Sequence, residues 1–123
     1  MTAWLAPCGD RDCSEIDVNE VGWFKIWEAG LLTGPNLAEG MWYQKEFQRW
    51  DGDPGLWPVK IPEGLKGGLY MIRHEILSVH VAGKPQFYPE CAHLNVTNAG
   101  VGGEMPPGEF LKRFPGAYDE NGE

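Results

Sequence analysis

The run from Leu69 to Val81 constrains this chain most strongly. Thirteen residues rich in β-branched, aromatic and aliphatic side chains follow Gly67-Gly68 and precede the breaker Gly83-Lys84-Pro85, after which Gln86 to Thr97 repeats the pattern. Two β-type runs separated by a Gly-Pro turn predict an antiparallel strand pair. Side chains alternate across a strand, so Tyr70, Ile72, His74, Ile76, Ser78 and His80 share one face. Arg73 and Glu75 share the other and are expected to pair with each other. Neither face is wholly apolar, which suits a central strand with one wet end. On the returning strand Gln86, Tyr88, Glu90, Ala92, Leu94 and Val96 fall on one side.

The rest of the sequence is loop-rich. Seventeen Gly and ten Pro in 123 residues leave no room for the long helices of a bundle. Residues 3–6 predict a strand ending at Pro7, Val21 to Trp27 a second, and Leu56 to Ile61 a short irregular one because Pro58 interrupts it. Between Thr33 and Asp53, Gly34-Pro35, Gly40 and Asp51-Gly52-Asp53-Pro54 predict a long loop with one helical turn. From Asn98 onward Gly and Pro predict an irregular tail. The expected class is all-β, an immunoglobulin- or fibronectin-like β-sandwich with long loops, in one domain.

Charge and composition limit the partners. A net charge of −8 argues against nucleic acid, whose phosphates require clustered Lys and Arg. No apolar run is long enough to span a membrane. Six Trp, four Tyr and five Phe exceed what so small a core usually holds, so some rings are expected at the surface, where they suit stacking on sugar faces. Of the three Cys, Cys8 and Cys13 are close enough for a tight loop disulfide, whereas Cys91 has no evident mate; it is either a free buried thiol or one half of a pair whose other half is missing. Met1-Thr2-Ala3-Trp4 shows neither a basic leader nor an apolar core, so no export signal is read there.

His80, Gln86 and Tyr88 form the candidate site. Gln86 and Tyr88 are two apart on a strand and point the same way, and the short connection after His80 returns the chain beside it. Tyr is a weak axial ligand for copper, and a His and a Gln next to it can hydrogen-bond an oxygen species without touching the metal. Two satisfied polar strand residues and a packed Tyr are the competing reading. Glu75 has no second carboxylate at a fixed spacing, so a two-carboxylate glycosidase is poorly supported. His74 and His93 read as ordinary strand residues. No zinc, phosphate-loop or serine-nucleophile motif occurs. Asn95-Val96-Thr97 is an N-glycosylation sequon, meaningful only if the chain is exported.

Trp23-Phe24-Lys25-Ile26, Glu28-Ala29-Gly30-Leu31, Tyr70 through His80, Gln86-Phe87-Tyr88-Pro89-Glu90-Cys91-Ala92 and Phe114-Pro115-Gly116-Ala117-Tyr118 together resemble the fungal lytic polysaccharide monooxygenases of auxiliary activity family nine, in family order. Cys8-Gly9-Asp10-Arg11-Asp12-Cys13 is similar to an early disulfide loop of that family. The resemblance implies Tyr88 as the axial copper ligand and His80 and Gln86 as the pair that positions the oxygen species. It also implies a Cys8–Cys13 disulfide and a partner for Cys91 lying upstream. In the family copper is gripped by the amino group and imidazole of an N-terminal His plus a second His, and neither is matched here. Residues 1–123 are therefore expected to be a partial catalytic β-sandwich domain, beginning just after that brace, stopping short of the last strand and inactive alone.

For the parent protein the resemblance implies copper, a reductant or electron-donor protein, dioxygen or hydrogen peroxide, cellulose or a related β-1,4-glucan, and secretion. Hydroxylation beside the glycosidic bond, at carbon 1 or carbon 4, would break the polymer. The alternative is a non-catalytic glycan-binding sandwich.

Overall fold

A computed structural model describes residues 1–47, 55–81, 83–97 and 102–118. Six strands run in the order β1 (Thr2–Gly9), β2 (Phe24–Glu28), β3 (Leu31–Thr33), β4 (Met41–Trp42), β5 (Gly68–Ser78) and β6 (Gln86–Val96). A four-residue helix, α1 (Gln44–Phe47), follows β4 and is the helical turn expected in that loop. The main sheet has the order β2-β1-β5-β6, all neighbours antiparallel, and β3 pairs with β4 in a separate ribbon. The protein is all-β, as expected, and the central position of β5 accounts for its mixed faces.

β1 is paired on both sides and is buried over most of its length, which suits its apolar run Ala3-Trp4-Leu5-Ala6. Its alternate side chains serve two cores. Trp4, Ala6 and Cys8 join Cys13, Ile16, Trp23, Met71 and Phe114 on one face, while Leu5 joins Phe24, Leu65, Tyr70 and Ile72 on the other. Residues after β6 close over the sheet: Lys112 and Trp23 exchange two backbone hydrogen bonds of 2.7 Å, and Leu65 bridges to Glu104.

Several strand expectations need correction: β2 begins at Phe24 and not Val21, β5 ends at Ser78 and not Val81, which leaves His80 beyond it, and the segment expected to be loop holds β4. β1 does not stop at Pro7 but runs on to Gly9, with a register shift between the two. Pairing with β2 ends at Leu5, so the proline occupies a stretch with β5 as its one neighbour, where a missing N–H is tolerated. Leu56 to Ile61 forms no strand; Pro58 and Pro62 flank a segment without a ladder partner among the described residues. Its Trp57 instead packs against Trp27 and His74, with ring centroids 5.4 and 5.0 Å apart. The breaker at Asp51–Pro54 lies outside the described residues.

One buried charge organises the first core. Glu75 is 2% exposed and accepts a hydrogen bond from Arg73 Nη2 at 2.7 Å through Oε2, the pairing expected from their shared face. Its Oε1 accepts from the Tyr118 hydroxyl at 2.5 Å. The Arg73 guanidinium lies 4.2 Å from the centre of the Phe114 ring, which adds a cation–π contact. Burial, and then the bond to Glu75, push the Tyr118 hydroxyl up to about 12. A buried carboxylate is tolerable only when both oxygens are served in this way.

Truncating Leu5, which is fully buried, to Ala is expected to cost about 2–5 kcal/mol in urea unfolding. Tyr118→Phe leaves one oxygen of the buried Glu75 unsatisfied and is expected to cost about 1–3 kcal/mol in the same measurement. The folded state holds the Tyr118 proton more tightly than the unfolded chain does. Its contribution is therefore whole below about pH 10 and is lost as pH rises through about 12. Alkaline unfolding curves of Tyr118→Phe should lack that part of the slope. Tyr70, whose hydroxyl burial also pushes upward, keeps its own share.

Candidate functional site

The candidate group lies where β5 hands over to β6. The two strands pair over eleven residues each without a slip, from Gly68 opposite Val96 to Ser78 opposite Gln86. Residues 79–85 make the connection, in which the Lys84 N–H donates to the Val81 carbonyl at 3.1 Å and Gly83 takes a φ of +69°, a conformation that favours glycine. Gln86 and Tyr88 project from the same face of β6, as their spacing requires. The Tyr88 hydroxyl donates to Gln86 Oε1.

His80 lies just beyond the end of β5 and is tied back to it by a 2.5 Å contact between its Nδ1 and Ser78 Oγ. Ser78 is the cross-strand neighbour of Gln86, so two side-chain pairs, His80–Ser78 and Tyr88–Gln86, stand next to each other at one end of the sheet. His80, Gln86 and Tyr88 are all exposed, Tyr88 by 55%. Ser78 was not anticipated as part of the group. Its place on the His80 face was legible, but its position opposite Gln86 depends on the length of the turn.

The pairs leave definite functional groups outward. With Oε1 engaged by Tyr88, the Gln86 amide keeps two N–H donors. With Nδ1 engaged by Ser78, His80 keeps Nε2 on the opposite edge of its ring. The set is suited to hydrogen-bonding a small oxygen species or a sugar hydroxyl.

It is less suited to holding a metal. Among the described residues no group of three or more His, Cys, Asp or Glu converges on a point. Copper prefers several nitrogen donors, and one phenol beside one imidazole does not meet that demand. These residues alone do not fit a copper ion.

The other face of the same strand pair carries a cleft of about 960 Å³ whose walls include Arg73, Glu75, Phe87, Cys91, Phe114 and Tyr118. Phe87 stacks on Tyr118 with centroids 5.1 Å apart and planes 19° from parallel. Cys91 opposes Arg73 in the ladder and is a free, exposed thiol, so it is not the buried one considered from the sequence. Cys8 and Cys13 form the expected disulfide. His93 is exposed, Asn95 is exposed near the far end of β6, and His74 packs on Trp57.

The chain is 40% identical over 118 residues to lytic polysaccharide monooxygenase B of Heterobasidion irregulare, covering 96% of this chain and 46% of that protein. Its fold matches the crystal structure of HiLPMO9B with a TM-score of 0.84 at 38% identity, over 98% of this chain and 50% of that one. It also matches a cellulose-active polysaccharide monooxygenase from M. thermophila, with a TM-score of 0.79 at 34% identity, over 97% of this chain and 52% of that one. The chain thus spans about half the length of these relatives. The family model for Auxiliary Activity family 9, formerly glycoside hydrolase family 61, matches residues 1–123, and the chain belongs to that family.

Proposed function

We propose that this chain is part of a secreted enzyme that cleaves a β-1,4-glucan such as cellulose oxidatively. Dioxygen or hydrogen peroxide is the oxidant and an external reductant supplies electrons. The observation that carries this reading is the pair of adjacent hydrogen-bonded couples at the β5–β6 junction, His80 with Ser78 and Gln86 with Tyr88, in a chain of this family. Copper is the cofactor the reading calls for. Tyr88 would offer it one phenol oxygen, and no cluster that could complete its coordination is found among the described residues.

His80 and Gln86 would orient the small oxidant. An amide engaged at its oxygen and a ring held at Nδ1 present their remaining nitrogens in set directions, so less ordering is left for the moment of reaction. Two features make the surroundings compatible with a neutral polymer. The net charge of −8 sets up no attraction for polyanions, and the site is open rather than sunk in a pocket.

In the full-length protein, supplied with copper, reductant and cellulose, oxidised oligosaccharides are the expected product. His80→Ala and Gln86→Ala should each lower their release by about a hundredfold, the scale of losing one positioned proton-handling or charge-stabilising group. Binding to cellulose without any oxidised sugar would instead identify a non-catalytic glycan-binding module. For residues 1–123 alone, isothermal titration with copper is expected to show no tight stoichiometric site. A histidine-based one would overturn the assignment of Tyr88 as this segment's sole ligand.

A further inference from the structure

The sequence holds a single Asn-X-Ser/Thr sequon, Asn95-Val96-Thr97, which takes no part in the reaction proposed above. Asn95 is the penultimate residue of β6 and pairs with Leu69 of β5. Asn95 and Thr97 are both exposed, whereas Val96 between them is half-buried against the Leu5 core. Strand alternation carried through Thr97 turns the two sequon side chains to the same outward side while Val96 anchors the segment from the other. Leu69, across the ladder, is itself 38% exposed, and β6 has no further strand on its other side among the described residues.

We infer that Asn95 is an N-glycosylation site that carries one glycan when the chain passes through a secretory pathway. The inference rests on the secreted reading given above. Asn95 Nδ2 would form a bond to carbon 1 of a lipid-diphosphate-linked oligosaccharide as the bond from that carbon to the diphosphate oxygen breaks. The lipid diphosphate leaves, the amide nitrogen gives up one proton, and nothing is oxidised or reduced. Such a glycan is attached to an extended chain and must afterwards find room on the folded surface, and the outer end of β6 provides it. Asn95 is nine positions from Gln86, about 30 Å along the strand, and projects from the opposite face. The glycan would leave the site uncovered while shielding part of an open strand edge, which is otherwise a template for association.

The test is to direct residues 1–123 into the secretory pathway of a yeast behind a cleavable leader and to analyse both the secreted and the cell-retained chains by mass spectrometry. Sampling both pools keeps a folding failure from hiding the modification. Removal of the glycan by peptide-N-glycosidase F in ¹⁸O-water should leave labelled Asp at position 95. Asn95→Gln and Thr97→Ala should abolish the modification and Thr97→Ser should keep it. Unmodified Asn95 in both pools overturns the inference. Because the readout is mass, a full-length protein that carries the glycan yet never oxidises glucan would sink the proposed function and leave this site standing.

Discussion

The register of β5 against β6 is the constraint on which the other features depend. A strand's side chains have a period of two, so a slip of one residue would exchange its faces. Gln86 and Tyr88 would then turn toward the side of Phe87 and Tyr118, and Glu75 would lose its buried place. The pairing is held along its length by different means. Tyr70 and Ile72 sit in one core and Met71 in the other. Glu75, with an oxygen committed to Arg73 and another to Tyr118, cannot change face without breaking both bonds. Phe87, opposite Leu77, is pinned by the Tyr118 ring.

The site therefore borrows its rigidity from the core behind it. Tyr118 is the link, because it touches Glu75 of β5 through its hydroxyl and Phe87 of β6 through its ring. Phe87 lies between Gln86 and Tyr88 in sequence and points away from them. Fixing Phe87 thus fixes the backbone that aims both polar residues. His80 is the exception, since it sits in the connection and is tied back to the strand by Ser78. The group combines two side chains set by strand geometry with one set by a local hydrogen bond.

Much of this was legible in the sequence. The alternation of residues 69–81 and 86–97 located the long strand pair and its turn, placed Gln86 and Tyr88 together, and joined Arg73 to Glu75. What failed was non-local. Pro7 reads as a strand end unless one knows that β2 stops pairing at Leu5. Leu56 to Ile61 looks strand-like because β-propensity reports fit to a half-buried surface, and here Trp57 obtains its contacts from an irregular segment. Tyr118 is forty-three positions from Glu75, and no local pattern connects them. The exposure of Cys91 follows from the place of β6 at the sheet's edge, which strand order alone reveals.

The same edge position explains why the candidate group is exposed and why it falls short of a metal site. A ligand cage needs donors converging from several elements, as the buried carboxylate achieves with β5 and the segment after β6. His80, Gln86 and Tyr88 come from one hairpin, which can order side chains in a row but cannot surround an ion. The Tyr88 hydroxyl donates to Gln86, so what the phenol oxygen offers to anything arriving beside it is a lone pair. Such a row suits the outer side of a reaction centre, where small polar groups orient an oxidant against a neutral polymer. On the copper reading proposed above, the nitrogen donors would have to be supplied from another direction.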